Sequence, residues 1–446
     1  MTTRLSASIV ATAALLAAAP VAAQLLPGVG GTVGGVTQAV GNVARPVLGA
    51  ATGDPATNAE RGQLIGGAFD RVASLSSSVA ASSASLLDLR QLRLTLLINA
   101  HRAELDRDGD GNPVRRDRLV VVEPDPASLG LAARAGFRIL ADQRDPELGL
   151  RLVTLAIPPR MSPRKALTNL RRAAPGLDAD FDHIFEPAGG ALAPTAALLA
   201  TGAAGLAPAN TRIAMIDGGV ASHPAMARAA IEQKGFAGPA SATGHGTAVA
   251  SLLVGDQGAF KGAARGASLF VGDVYGGNPA AGSASTIVRA LGWAASKRPR
   301  LITMSLVGPA NRAIERAVAA LRGRGIVVVA AVGNDGPAAP FQYPASYDGV
   351  VAVTGVDARG KALIEAGRAR HIDFAAPGAD LAAALPGKGY ARVRGTSFAA
   401  PLVAARFAAT GSLARLAAEA RPGKGKVGRG IVCGDCRIEP KAVGAR

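Results

Sequence analysis

Between residues 212 and 353 the chain carries five short runs that are almost wholly apolar: Arg212–Ile216, Leu269–Val274, Leu301–Leu306, Ile326–Ala331 and Val350–Val353. A strand with one wet face alternates apolar with polar residues. A strand covered on both faces does not, and this is the pattern of a parallel sheet buried between helices. Helical stretches fall between and after the runs, at Thr247–Leu253, Ser285–Ser296, Asn311–Arg322 and Ser397–Leu413. Short strands with helical crossovers predict an α/β fold with three layers and a mostly parallel central sheet. Functional groups are then expected where the strands end.

Upstream, residues 118–187 read as a compact βαββαβ unit. Leu119–Val122, Phe137–Leu140, Leu150–Ile157 and Ala179–Phe185 are its strands. Asp125 caps one helix, and Ser162-Pro163 opens a second with proline at its first position. The alternation predicts a small α+β domain of ferredoxin-like topology. Before it, Leu86, Leu89, Leu92, Leu96 and Leu97 suit a helix from about Ser85 to Leu105, while the alternation Leu92, Leu94, Leu96, Ile98 leaves a strand open. Residues 106–112 (Asp-Arg-Asp-Gly-Asp-Gly-Asn) resemble the start of a calcium loop. The twelfth position is Asp117 rather than glutamate, and Pro113, Arg115 and Arg116 intrude, so a polar turn is expected and no cofactor is assigned.

The ends and joints carry different signals. Arg4, the apolar stretch Leu5–Ala19 and Pro20-Val21-Ala22-Ala23 form a signal peptide, residues 1–23, so the mature protein is expected to be secreted or periplasmic. No other segment approaches the roughly 20 apolar residues of a membrane span. Residues 24–83 are a low-complexity spacer, and 188–210 an Ala/Gly/Pro-rich linker open to proteolysis. Residues 416–446 are rich in Lys, Arg and Gly and are expected to be a disordered basic tail, clipped by a Cys433–Cys436 disulfide. A second cysteine pair or a nearby histidine for a zinc site is lacking. The net charge is +17, and residues 207–446, with 29 Lys+Arg against 14 Asp+Glu, account for +15 of it. Basic residues are not interleaved with aromatics, so nucleic acid is not an expected partner.

Three stretches carry chemistry: Ile216-Asp217-Gly218-Gly219, Gly244-His245-Gly246-Thr247 and Gly395-Thr396-Ser397-Phe398-Ala399-Ala400-Pro401. Singly they read as a turn, a capping histidine and a helix cap. Together, each at the boundary of an element, they supply an orienting carboxylate, a general base and a nucleophile.

On these three motifs the chain, over about residues 207–415, resembles the subtilase family of serine proteases. Tyr343-Pro344-Ala345-Ser346 and Ala375-Ala376-Pro377-Gly378 are weaker similarities, and Ser222-His223-Pro224 marks His223 as structural. The resemblance implies a subtilisin-like catalytic domain at 211–415 with Asp217, His245 and Ser397 as catalytic residues. Asn334, in Gly333-Asn334-Asp335-Gly336, would be the oxyanion donor. Ser305, Leu306 and Gly308 would line one edge of a peptide substrate, interrupted by Val307, and Gly282 and Ser283 the other. It further implies that residues 84–187 are a propeptide, acting as an intramolecular inhibitor and cut off by the enzyme within 186–210. Protein or peptide substrates and a monomer follow. Two other readings are a catalytically silent peptide-binding protein on the same fold and a serine esterase of another fold, which would want a Gly-x-Ser-x-Gly elbow that the serine motif lacks.

Overall fold

The computed structural model describes residues 83–188, 207–208, 210–387 and 389–445. The expected signal peptide, all but residue 83 of the spacer, and most of the 188–210 linker lie outside the described residues.

The first domain begins with α1 (Ser83–Ala100) and continues with β1 (Leu105–Arg107), β2 (Pro113–Val122), α2 (Pro126–Arg134), β3 (Arg138–Asp145), β4 (Leu150–Ala156), α3 (Pro163–Ala173) and β5 (Asp178–His183). Its helices start where the capping chemistry says they should. Asp125 accepts the Ser128 N–H and Ser162 the Lys165 N–H, each with proline following. β4 lies between β3 and β2, β5 pairs with β2 on the other side, and every pairing is antiparallel. This is the ferredoxin-like order. β1 pairs with the first part of β2, so the sheet reaches further upstream than residue 118.

At the centre of this small sheet, in β2 and β4, both faces are buried, while the edge strand β3 is largely exposed. Leu119, Val121, Val153 and Leu155 pack with Ala166, Leu167 and Leu170 of α3. Val120, Val122, Leu150 and Leu152 point the other way and join a cluster with residues of the second domain. The uninterrupted run Leu119–Val122 is the sequence trace of a strand with no wet side.

The second domain follows a short strand, β6 (Glu186–Pro187). It comprises β7 (Arg212–Asp217), β8 (Ala230–Gly235), α4 (Gly244–Val254), the hairpin β9 (Asp256–Gln257) and β10 (Phe260–Lys261), β11 (Ser268–Asp273), α5 (Ala284–Ser296), β12 (Leu301–Met304), β13 (Leu306–Val307), α6 (Arg312–Gly323), β14 (Val327–Ala331), β15 (Val350–Val356), β16 (Phe374–Pro377), β17 (Leu381–Ala384), β18 (Tyr390–Val393), α7 (Thr396–Thr410) and α8 (Leu413–Ala418). Seven strands form a parallel sheet in the order β16-β15-β14-β12-β7-β11-β8. One apolar cluster joins it to α4 and α7, the other to α5 and α6, which makes three layers. α4 and α7 are buried nearly all round, as their Ala- and Val-rich sequences allow.

Several expectations change. The Leu301–Leu306 run is not one strand: β12 stops at Met304, and β13 leaves the sheet to pair with β6. The last large helix stops at Thr410, because Gly411 takes a left-handed φ of 71° and closes it. β8, β16, β17 and β18 are additional strands.

The C-terminal tail is not disordered. Val427, Val432, Cys433, Cys436 and Ile438 are buried, and the sulfurs of Cys433 and Cys436 are bonded. Val432 donates its N–H to the Ala375 carbonyl (2.8 Å), and Ile438 accepts from Ala382 (2.9 Å). The basic residues that dominate the composition lie mostly at the surface, while the apolar minority anchors the segment. Arg437 is the exception: its guanidinium donates to the carbonyls of Ala379, Asp380 and Asp357, and burial pulls its pKa below the ordinary arginine value. Replacing it with methionine strands those carbonyls. We expect Arg437→Met to cost about 1–3 kcal/mol, read as a lower denaturant midpoint at unchanged slope.

Among the described residues, no helix is long and apolar enough to cross a membrane.

Candidate active site

Asp217 ends β7 at the centre of the parallel sheet, its side chain 1% exposed. One carboxylate oxygen accepts the Gly218 N–H (2.7 Å) and stands 2.8 Å from Nδ1 of His245. His245 lies in the first turn of α4, which Thr243 caps by accepting the Gly246 N–H at 2.9 Å. A Cβ on Gly246 would overlap the Gly218 carbonyl, so glycine there lets the start of α4 lie against the end of β7. The imidazole leans on Phe398, with ring centroids 5.6 Å apart.

Ser397 lies two residues after Gly395, whose φ of 143° belongs to glycine, and sits in the first turn of α7, at the positive end of the helix dipole. Pro401, four residues on, has no N–H to give the Ser397 carbonyl. The Ser305 hydroxyl donates to that carbonyl instead, at 2.9 Å. β7, α4 and α7 thus gather Asp217, His245 and Ser397 at one end of the sheet.

Asn334 lies in the turn after β14, between Gly333 (φ 85°) and Gly336 (φ 80°). Its side-chain oxygen accepts the Thr396 N–H at 2.9 Å, which aims the amide nitrogen at the carbonyl of Ala188.

Residues 184–188 lie between β13 and the stretch Gly282–Ser283 before α5, as a strand would. Phe185 donates its N–H to the Gly282 carbonyl (2.8 Å), and Ile184 bridges to Ser283. On the other side β6 runs antiparallel to β13, with Pro187 opposite Leu306 and Glu186 opposite Val307. The Ala188 N–H donates to the Ser305 carbonyl at 2.7 Å. Phe185 is fully buried, and a Cβ on Gly308 would overlap its ring. Ser305, Leu306, Gly308, Gly282 and Ser283 are therefore all in contact with the chain's own segment.

The rest of the interface is built on charge. β5 carries aspartate at every second position. Asp180 accepts the Arg312 N–H at the start of α6, and Asp182 accepts the Ser285 N–H (both 2.9 Å) and hydroxyl (2.8 Å) at the start of α5. Asp178 faces Arg312 and Arg316, and Glu147 pairs with Arg324 at 2.5 Å. Carboxylates at two helix N-termini meet the positive ends of the dipoles. The period-two aspartates of Asp178-Ala-Asp-Phe-Asp182 are a signal that sequence reasoning passed over.

It also missed a buried ion cluster. Arg93 of α1 contacts Glu186 at 3.2 Å and Asp335 at 2.9 Å, and Arg90 stands 3.3 Å from Asp335. Burial opposes the charge on Arg93, but the two carboxylates outweigh it and raise its pKa above the ordinary value. Only the spacing of Arg90 and Arg93 on one helix face hinted at it.

The other sequence candidates have local roles. His223 is buried, accepting the Ala225 N–H and donating to the Gly389 carbonyl. In the calcium-like turn, Asp108 accepts the N–H groups of Asp110 and Asn112 and the side chains of Asn112 and His183. Among the described residues, no group of three or more His, Cys, Asp or Glu side chains is placed to hold a metal ion.

The model of the subtilase family matches residues 209–418. The major intracellular serine protease of Bacillus subtilis (strain 168) is 32% identical over 222 residues, covering 46% of this chain and 70% of that protein. Subtilisin Savinase of Lederbergia lenta is 33% identical over 205 residues, covering 45% of this chain and 76% of that one. Among solved structures, fervidolysin from Fervidobacterium pennivorans, a keratinolytic enzyme related to subtilisin, superposes with a TM-score of 0.62. At 18% identity, over 76% of this chain and 62% of that one, it speaks for the fold alone.

Proposed function

The chain belongs to the subtilase family and is a serine endopeptidase, and from that premise we propose that Asp217, His245 and Ser397 are its catalytic triad and that it is made as a secreted, self-processed zymogen. The signal-like residues 1–23 motivate secretion, the first domain is the propeptide, and the bond after Ala188 is the one first cut. A single observation carries the reading: the Ala188 carbonyl receives the Asn334 amide while the Ala188 N–H is held by Ser305. A residue gripped at both ends beside a nucleophile is positioned for attack.

The steps use side chains and backbone only. His245 takes the Ser397 proton as Oγ attacks the Ala188 carbonyl carbon. The oxyanion is met by the Asn334 amide and the Ser397 N–H. Asp217, hydrogen-bonded to Nδ1, orients the ring and stabilises the imidazolium. His245 then protonates the departing amine of Gly189, leaving an acyl-enzyme on Ser397. Water, deprotonated by His245, hydrolyses that ester and frees the Ala188 carboxylate. The same cycle in trans cuts substrates that add as a strand between β13 and Gly282–Ser283. The cleaved first domain stays as an inhibitor, held by the acidic β5 and by residues 184–188. The enzyme acts as a monomer.

Purified chain lacking residues 1–23 is expected to shorten with time to a fragment whose first residue is Gly189, read by intact mass and N-terminal sequencing. Ala188 is itself buried, in a cluster with Val307. Ala188→Phe should therefore slow the cut by at least about tenfold, through overpacking. A serine-reactive phosphonate should label Ser397 once the first domain has been removed from the shortened form. A first cut elsewhere overturns the assignment of Ala188, and absence of labelling favours the silent peptide-binding protein.

A further inference from the structure

We infer that Asp335 selects a positively charged side chain at the third residue before the scissile bond of substrates, the charge that Arg93 supplies in the zymogen. This rests on the reading above that Ala188 occupies the scissile position, which makes Glu186 the third residue before the cut.

Asp335 neighbours the oxyanion donor Asn334, and its side chain is only 6% exposed. Both of its cationic partners, Arg90 and Arg93, come from α1. α1 belongs to the segment that the cut at Ala188 severs and that must leave before a substrate can bind. Release therefore takes both cations away from Asp335 and uncovers its turn, against which Leu86 of α1 also packs, leaving an unpaired carboxylate beside the place of Glu186. The other acid at this turn does not share the need. Glu365, whose carbonyl accepts the Gly336 N–H, is paired with Arg394 at 2.7 Å.

The geometry says where a replacement charge enters. One nitrogen of Arg93 contacts Glu186 at 3.2 Å and Asp335 at 2.9 Å, so the two carboxylates stand no more than about 6 Å apart. Lysine or arginine in the place of Glu186 is longer than glutamate and reaches Asp335 without an intermediary. A glutamate there, with Arg93 gone, faces a like charge. The enzyme thus inhibits itself with a residue that its substrates should avoid, made acceptable by an arginine that departs with the propeptide.

The test uses protein matured from the full chain and three peptides, Phe-Lys-Pro-Ala, Phe-Gln-Pro-Ala and Phe-Glu-Pro-Ala, each extended past alanine by a reporter amide. At low salt kcat/KM should favour Lys over Gln by about tenfold and disfavour Glu, and the ratios should shrink as salt rises. Asp335→Asn should bring the Lys/Gln ratio to about one, and Asp335→Glu should keep it above one. A wild-type ratio of one, or a preference for a cation immediately before the cut instead, overturns the inference while leaving the protease reading intact. No cleavage after alanine in any peptide overturns the register on which it rests. A swap within the full chain guards against an Asp335 variant that does not fold. Arg93→Ala should slow self-cleavage several-fold, adding Glu186→Lys should restore it, and no restoration overturns the inference.

Discussion

A chain carrying Ser397→Ala stays whole under conditions in which the wild type shortens, and its peptide hydrolysis falls by a factor on the order of 10⁶. The size of the effect follows from how the three residues are proposed to act. His245 has nothing to deprotonate once the hydroxyl is gone, and Asp217 then orients an idle base, so loss of the nucleophile alone costs nearly what loss of all three costs. The substitution removes one oxygen at the start of a buried helix and leaves intact the Ser397 carbonyl, which Ser305 holds at 2.9 Å. Folding should therefore be unaffected, and the whole mutant should give the melting temperature of an uncut wild type. Shortening of purified Ser397→Ala at the wild-type rate would remove self-cleavage from the account.

Asn334→Ala is the second large effect, a fall of about 10²–10³ in kcat with little change in KM. The asparagine has two jobs: it accepts the Thr396 N–H and donates toward the Ala188 carbonyl. Asn334→Asp separates them, since aspartate keeps the acceptor and loses the donor. If the donor matters, Asp is as poor as Ala or worse. If the loss came only from loosening the start of α7, Asp would recover most of it. Steady-state kinetics on one peptide with both variants distinguishes the two.

What could be read from the sequence divides along a physical line. The α/β class was legible because strands covered on both faces must be apolar at every position, as at Val327–Ala331. The three residues proposed as the triad could be singled out because each sits where an element begins or ends. The split at Ser305 was not legible: nothing in Leu301–Leu306 says where the run leaves the sheet, since its new partner is Pro187, more than a hundred residues earlier. The tail was misjudged because composition is dominated by residues that face water, while a handful such as Val432 and Ile438 decide whether a segment packs. The charge cluster of Arg93, Glu186 and Asp335 draws on three distant parts of the chain. Pairing across such separations leaves no local pattern.

Ser305 touches both partners of the reaction. Its carbonyl holds the N–H of the residue proposed to be attacked, and its hydroxyl holds the carbonyl of the residue proposed to attack. The gap in α7 left by Pro401 is what makes the second bond available. The depth at which a peptide settles and the height at which the nucleophile stands are thus not independent quantities. Both are measured from one residue, as two gauges are read against a common datum, so a displacement of that strand moves them together rather than apart.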